Sequence, residues 1–146
     1  MTAGRNQVEY TDIGFQAQTY KIDGVTITYD RTKPNGIGIA AGAGLAVTLS
    51  DDDTVALTAD GSFVEGKVIK VEADGFATVQ IDGFATFGKG DSGIGTATRG
   101  RKIVGATLAG VRGFVRDVNT ATAAELGVCD GEIINTADAA NIVVDL

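Results

Sequence analysis

The chain has 146 residues, 44% of them apolar, which suits one domain of ordinary size with a real core and excludes disorder throughout. It carries 19 acids against 12 bases, a net charge of −7, which argues against nucleic acid and anionic lipid as partners. It has no histidine and one cysteine, Cys129, so the usual general base, the commonest metal ligand, an intrachain disulfide and a multi-cysteine metal site are all missing. No charged segment followed by an apolar run opens the chain, and no apolar run reaches membrane-spanning length, so neither a signal peptide nor a membrane span is expected.

Residues 1–20 are polar, with isolated Val8, Tyr10, Ile13, Phe15 and Tyr20. They lack sustained periodicity and read as an extended arm. Two outcomes fit such a segment: a frayed terminus or first edge strand, or an arm that orders on a partner and inserts its large side chains. Residues 21–30, KIDGVTITYD, alternate like a strand, with Val25, Ile27 and Tyr29 on one face. TKPNG (32–36) is a loop, so the chain divides into 1–34, an arm with a first strand and linker, and a β-rich body, 35–146.

In the body, a Gly/Ala-rich run (36–44) leads to a strand at 45–49. The acidic turn Asp51-Asp52-Asp53 and a second strand at 54–58 follow. Residues 63–87, FVEGKVIKVEADGFATVQIDGFATF, carry the strongest signal. Alternating β-formers flank Asp74-Gly75, a hairpin turn, and Asp82-Gly83 places a kink or bulge in the return strand. Asp-Gly recurs at 23–24, 60–61, 74–75, 82–83 and 130–131. Regular turn signals between short β-rich runs predict an all-β fold, a small barrel or sandwich of short antiparallel strands. Residues 88–100, rich in Gly, Ser and Thr, read as a surface loop, and strands resume at 102–108 and 113–118. One short helix is expected near 122–128, opened by a capping box from Thr122 to Glu125 and stopped by Gly127. Strands at 131–134 and 141–146 close the chain.

The motifs that suggest chemistry fail on their surroundings. Gly90-Asp91-Ser92-Gly93 copies a serine-protease nucleophile loop, but no histidine exists to activate the serine. Residues 83–90, GFATFGKG, approach a phosphate-binding loop but end in Gly90 where a hydroxyl is required, and a strand rather than a strand–helix turn is expected there. Gly36-Ile37-Gly38 loosely matches a dinucleotide fingerprint without the long helix that should follow. Asp51, Asp52 and Asp53 offer hard oxygen ligands for calcium but lack the EF-hand spacing, so an acidic turn is the default. Cys129 reads as a small buried residue. Arg99, Arg101, Lys102, Arg112 and Arg116 read as a solvated or interface-paired strand face, and no base follows Arg116, which leaves an acidic end. No catalytic, cofactor-binding or metal-ligating residue is expected.

The order of elements from Gly44 onward resembles the capsid-decoration, or head-cement, proteins of tailed bacteriophages and prophages. The residues that carry the resemblance are 44–87, then GRKIVGA (100–106), RGFVRDV (112–118) and the close at 122–146. The resemblance implies a non-enzymatic structural protein, made in the host cytoplasm, that binds the outer surface of the virion capsid. Its partners would be the major capsid protein and its own copies, commonly as homotrimers, and it would hold capsid subunits against internal pressure. An extended arm commonly reaches a neighbouring subunit in that family. Tyr10, Ile13, Phe15 and Tyr20 are therefore the candidate capsid or subunit contacts. The alternative is a carbohydrate- or receptor-binding β module of a phage tail or fibre, against which the low aromatic content counts. A carboxylate-based hydrolase, the third reading, requires two perturbed acids facing each other in a cleft.

Overall fold

The computed structural model describes residues 15–91, 97–119, 122–136 and 140–146. Strands hold 53% of the chain and helix 6%, and five of the strands close into a barrel, so the fold is all-β as expected. The barrel strands are β1 (Phe15–Ile22), β4 (Ala46–Asp51), β5 (Thr54–Leu57), β6 (Gly66–Val71) and β7 (Phe76–Gly88). Their order is β1-β5-β4-β6-β7, and β7 returns to β1 to close the ring. All these pairings are antiparallel except β1 with β5, which is parallel. Two short strands, β2 (Thr28–Tyr29) and β3 (Ile37–Gly38), form a separate ribbon. The strands β8 (Ile103–Leu108) and β9 (Val111–Asp117) form a hairpin. After the helix α1 (Ala123–Leu126), β10 (Glu132–Asn135) and β11 (Asn141–Asp145) extend the barrel sheet beyond β7.

The first twenty residues do not form a single arm. From Phe15 onward the chain is a barrel strand, paired with β7 from Phe15↔Gly83 to Lys21↔Phe76. The boundary at 34 is therefore not a structural one. The sequence hides this because Gln16, Ala17, Gln18 and Thr19 are exposed, so over 16–20 Tyr20 alone marks the buried face. The strand expected over 21–30 also shifts. Asp23 ends it by accepting backbone N–H bonds from Val25 (3.2 Å), Thr26 (3.0 Å) and Ile27 (2.9 Å), together with the Thr26 hydroxyl (2.7 Å). Partial burial pushes the Asp23 carboxyl up, and these bonds outweigh it and hold it below the usual range. Ile27 is thus buried while Val25 is 83% exposed, which breaks the expected common face.

The turn signals held. All five Asp-Gly glycines sit at positive φ, between 63° and 87°, where glycine alone is unstrained. At Asp82-Gly83 the long strand β7 changes partners. Up to Gly83 it pairs with β1, and from Phe84 to Gly88 with β11. The β1–β7 register skips Ile81, which is the bulge the sequence predicted. Buried Gln80 holds this bend, its side-chain amide donating to the carbonyls of Asp82 (3.1 Å) and Phe84 (2.9 Å). Strand β7 feeds two cores. Ala77 and Val79 join Val47, Val55, Val68 and Val71 in the barrel, whereas Ala85 and Phe87 pack with Ile103, Val115, Ile133, Ile142 and Val144.

Close backbone approach fastens the β8–β9 hairpin to the barrel. Gly105 exchanges hydrogen bonds with the 61–62 segment: its N–H donates to the Ser62 carbonyl (2.7 Å), and its carbonyl accepts from Gly61 (2.9 Å). A Cβ on Gly105 would lie 2.5 Å from the Ala59 carbonyl oxygen, so only glycine fits there. Gly44 and Gly113 likewise meet backbone to backbone, and a Cβ on Gly44 would come within 2.0 Å of the Gly113 oxygen. The hairpin turn itself is Ala109-Gly110, with both residues at positive φ (51° and 81°), as type I′ requires. Ala109 bears the cost of its Cβ in that region. Ala109→Asn should stabilise the protein by about 1 kcal/mol, read as a rise of a few degrees in the thermal unfolding midpoint.

The expected capping box does not form. Thr122 occupies the N-cap without a side-chain cap bond. Glu125 turns instead to Arg116, accepting from Nη2 (2.7 Å) and Nη1 (3.0 Å), and takes the Asn119 N–H at 2.8 Å. Arg116 completes its fork through Nε to Asp60 (2.8 Å). The Arg116 side chain is only 7% exposed and ties β9, α1 and the 58–62 segment together. Its bond to Glu125 holds the guanidinium above its ordinary pKa and Glu125 below its own. Arg116→Ala should cost about 3–5 kcal/mol in denaturant unfolding, because it strands Glu125, while the double replacement Arg116→Met with Glu125→Leu should cost clearly less.

Candidate functional site

The four expected contact residues do not assemble into one surface. Tyr10 and Ile13 lie outside the described residues, and Phe15 opens β1 opposite Gly83. Tyr20 is only 7% exposed and packs in the barrel core, where its hydroxyl donates to the Glu65 carboxylate. Its ring serves the barrel core instead of the exposed contact surface expected of it. Burial, then the bond and charge of Glu65, push the Tyr20 hydroxyl up to about 12.

The motif segments take structural places. Gly90 donates to the Val115 carbonyl (2.9 Å), and the Asp91 carboxylate accepts the Ala109 N–H (3.1 Å), bracing the strained hairpin turn. Ser92 and Gly93 lie outside the described residues. Residues 84–88 are strand, paired with β11, and Ile37 and Gly38 form β3 after a 3-10 turn. Asp51, Asp52 and Asp53 make the β4–β5 turn, where Asp53 pairs with Lys21 at 3.2 Å and is held below its ordinary pKa chiefly by that bond. Among the described residues, no group of three or more His, Cys, Asp or Glu gathers to hold a metal. Cys129 is half-buried rather than buried, its thiol directed at the Leu126 carbonyl (3.5 Å). The basic stretch divides: Arg116 turns inward, while Arg99, Arg101, Lys102 and Arg112 are exposed. Asp60 and Glu125 are two acids brought together, but around a guanidinium, an arrangement that favours ion pairing over proton donation.

Surface relief concentrates around the Gly/Ala-rich segment. A depression of about 350 Å³ lies between Val25, Ala40, Ala43, Leu57, Val111 and Arg112. A second, about 460 Å³, is lined by Ala43, Leu45, Lys67, Thr86, Leu108 and Phe114 among others. A third, about 380 Å³, is lined by Ile37, Leu45, Lys67, Ile69 and Gln80 among others. The first two share Ala43, and the last two share Leu45 and Lys67, so the three adjoin. A smaller depression of about 180 Å³, with Glu65 and Asp130 in its wall, lies apart from these residues. No motif in the sequence marks this face, because its residues come from eight separate stretches of chain.

Comparison with known proteins returns no matching family model, curated protein or solved structure.

The Tyr20–Glu65 pair sets a titration. A folded-state pKa of about 12, above the ordinary 10.0, gives stabilisation that is complete below pH 10 and lost as pH rises toward 12. Tyr20→Phe should cost about 1–2 kcal/mol at neutral pH and should flatten the alkaline fall in stability; urea unfolding from neutral to alkaline pH measures both.

Proposed function

We propose that this chain is a non-enzymatic structural protein that binds the outer surface of a phage capsid and cements neighbouring capsid subunits against internal pressure. Its partners are the major capsid protein and its own copies, arranged as a homotrimer on the virion. The observation that carries the reading is the resemblance of residues 44–146 in element order and pattern to capsid-decoration proteins. The form of the body supports it: a closed barrel with a second core stapled on by backbone contacts is a rigid unit, and lattice symmetry multiplies small contacts into firm attachment. The attaching arm in this reading is residues 1–14, with Tyr10 and Ile13, since β1 begins at Phe15.

Co-sedimentation of the full chain with expanded, undecorated heads of the phage that encodes it tests the reading. Bound copies should saturate at a multiple set by the capsid lattice. Deleting residues 2–14 should weaken attachment by about tenfold or more, a loss of roughly 1.4 kcal/mol, with an unchanged circular dichroism spectrum. Full attachment by the truncated chain would remove the arm from the proposal. Failure of the intact chain to bind competent heads would overturn the capsid reading in favour of a tail or fibre module.

A further inference from the structure

We infer that the grooved face around Lys67 is a docking surface for a segment of a partner protein that presents one carboxylate between apolar side chains. Three observations converge on it. The first is charge. The chain has 19 acids, yet among the described residues none lines any of the three adjoining depressions, while Lys67 lines two of them and Arg112 the remaining one. An overall acidic protein thus carries here a face whose charged groups, among the described residues, are positive.

The second is apolar exposure. Val25 is 83% exposed and lines the first depression; Leu108, at 39%, lines the second. Phe84, at 67%, lies two residues before the lining residue Thr86 on β7, and Tyr29, at 43%, pairs with the lining residue Ile37. Half of the exposed large apolar side chains therefore sit on or beside this face, and such patches mark binding surfaces.

The third is the state of Lys67. Among the described residues no carboxylate pairs with its ammonium, and burial alone lowers its pKa. Its stem lies between the two depressions, with Leu45 in the wall of both. An apolar partner that covered Lys67 without an anion would strand a desolvated charge, and such burial is strongly unfavourable. A partner that supplies a carboxylate converts that penalty into a charge-assisted hydrogen bond. The occupant's chemistry follows: apolar contacts for the walls and one Asp or Glu for Lys67. The chain's own Val144-Asp145-Leu146 has this pattern but is built into the sheet, with Val144 fully buried, so that segment is not the occupant. The inference does not rest on the capsid reading.

Amide chemical shifts of the full, isotope-labelled chain test it, with the probe peptide acetyl-Thr-Val-Leu-Asp-Leu-Val-Thr-amide and its Asp-to-Asn counterpart. Shifts should be confined to residues 37–45, 67–69, 84–88 and 108–112. The Asn peptide should bind roughly tenfold more weakly, the discrimination expected of one charge-assisted bond. Lys67→Met, which keeps the apolar stem, should bind both peptides alike, and Lys67→Gln provides the same comparison if the Met variant does not fold. Equal affinity of the two peptides for the wild-type chain would overturn the inference, as would shifts elsewhere. Saturation of the face by inorganic phosphate, or the same shifts on concentrating the protein alone, would overturn it in favour of a simple anion site or a second copy.

Discussion

The structure depends on one strand serving two cores. Strand β7 is 13 residues long, and a straight strand of that length could not stay in a small closed barrel and also cover a second apolar layer. The bend at Asp82-Gly83 resolves this: Ile81 bulges, Gly83 takes positive φ, and the strand passes from β1 to β11. A bend of this kind turns carbonyl groups out of the regular ladder. The Gln80 amide takes two of them, which explains why a polar side chain is buried in the wall of an apolar barrel. Every element after β7 is placed by the direction in which it leaves the barrel.

The second layer is held by closeness more than by bulk. Glycines 44, 105 and 113 let the β8–β9 hairpin approach the barrel backbone, and Thr58, completely buried, donates its hydroxyl to the Phe114 carbonyl while accepting the Gly113 N–H on its own carbonyl. Arg116 then closes the assembly from the other side, its fork shared between Asp60 and Glu125. A planar guanidinium can satisfy two carboxylates and a backbone carbonyl at once, which a lysine in the same place could not. These contacts fix the hairpin and the helix against the barrel and so set the shape of its surface.

That surface was the least legible part. Residues such as Ala43, Lys67, Thr86 and Val111 are unremarkable in sequence, and only the fold brings them together. Tyr20 shows the opposite failure: an aromatic in a polar stretch reads as a contact residue, yet it turns into the barrel core, where Ile22 also packs, from a strand whose residues 16–19 are exposed. A carboxylate partner for its hydroxyl, Glu65, lies 45 residues away, beyond the reach of any local pattern.

What the sequence determined by itself was the all-β class, the five Asp-Gly turns, the long hairpin with its kinked return strand and the short helix before Gly127. Each is a local property: glycine's access to positive φ, two-residue alternation and the brevity of a helical run are written within a few neighbouring residues. Tertiary structure alone decided that Phe15–Ile22 closes the barrel, that Glu125 serves Arg116 rather than the helix N-terminus, that glycines 44, 105 and 113 are backbone contact points, and that Lys67 lines two adjoining grooves. Those outcomes rest on pairings between distant segments, where burial and hydrogen-bond satisfaction outweigh local preference.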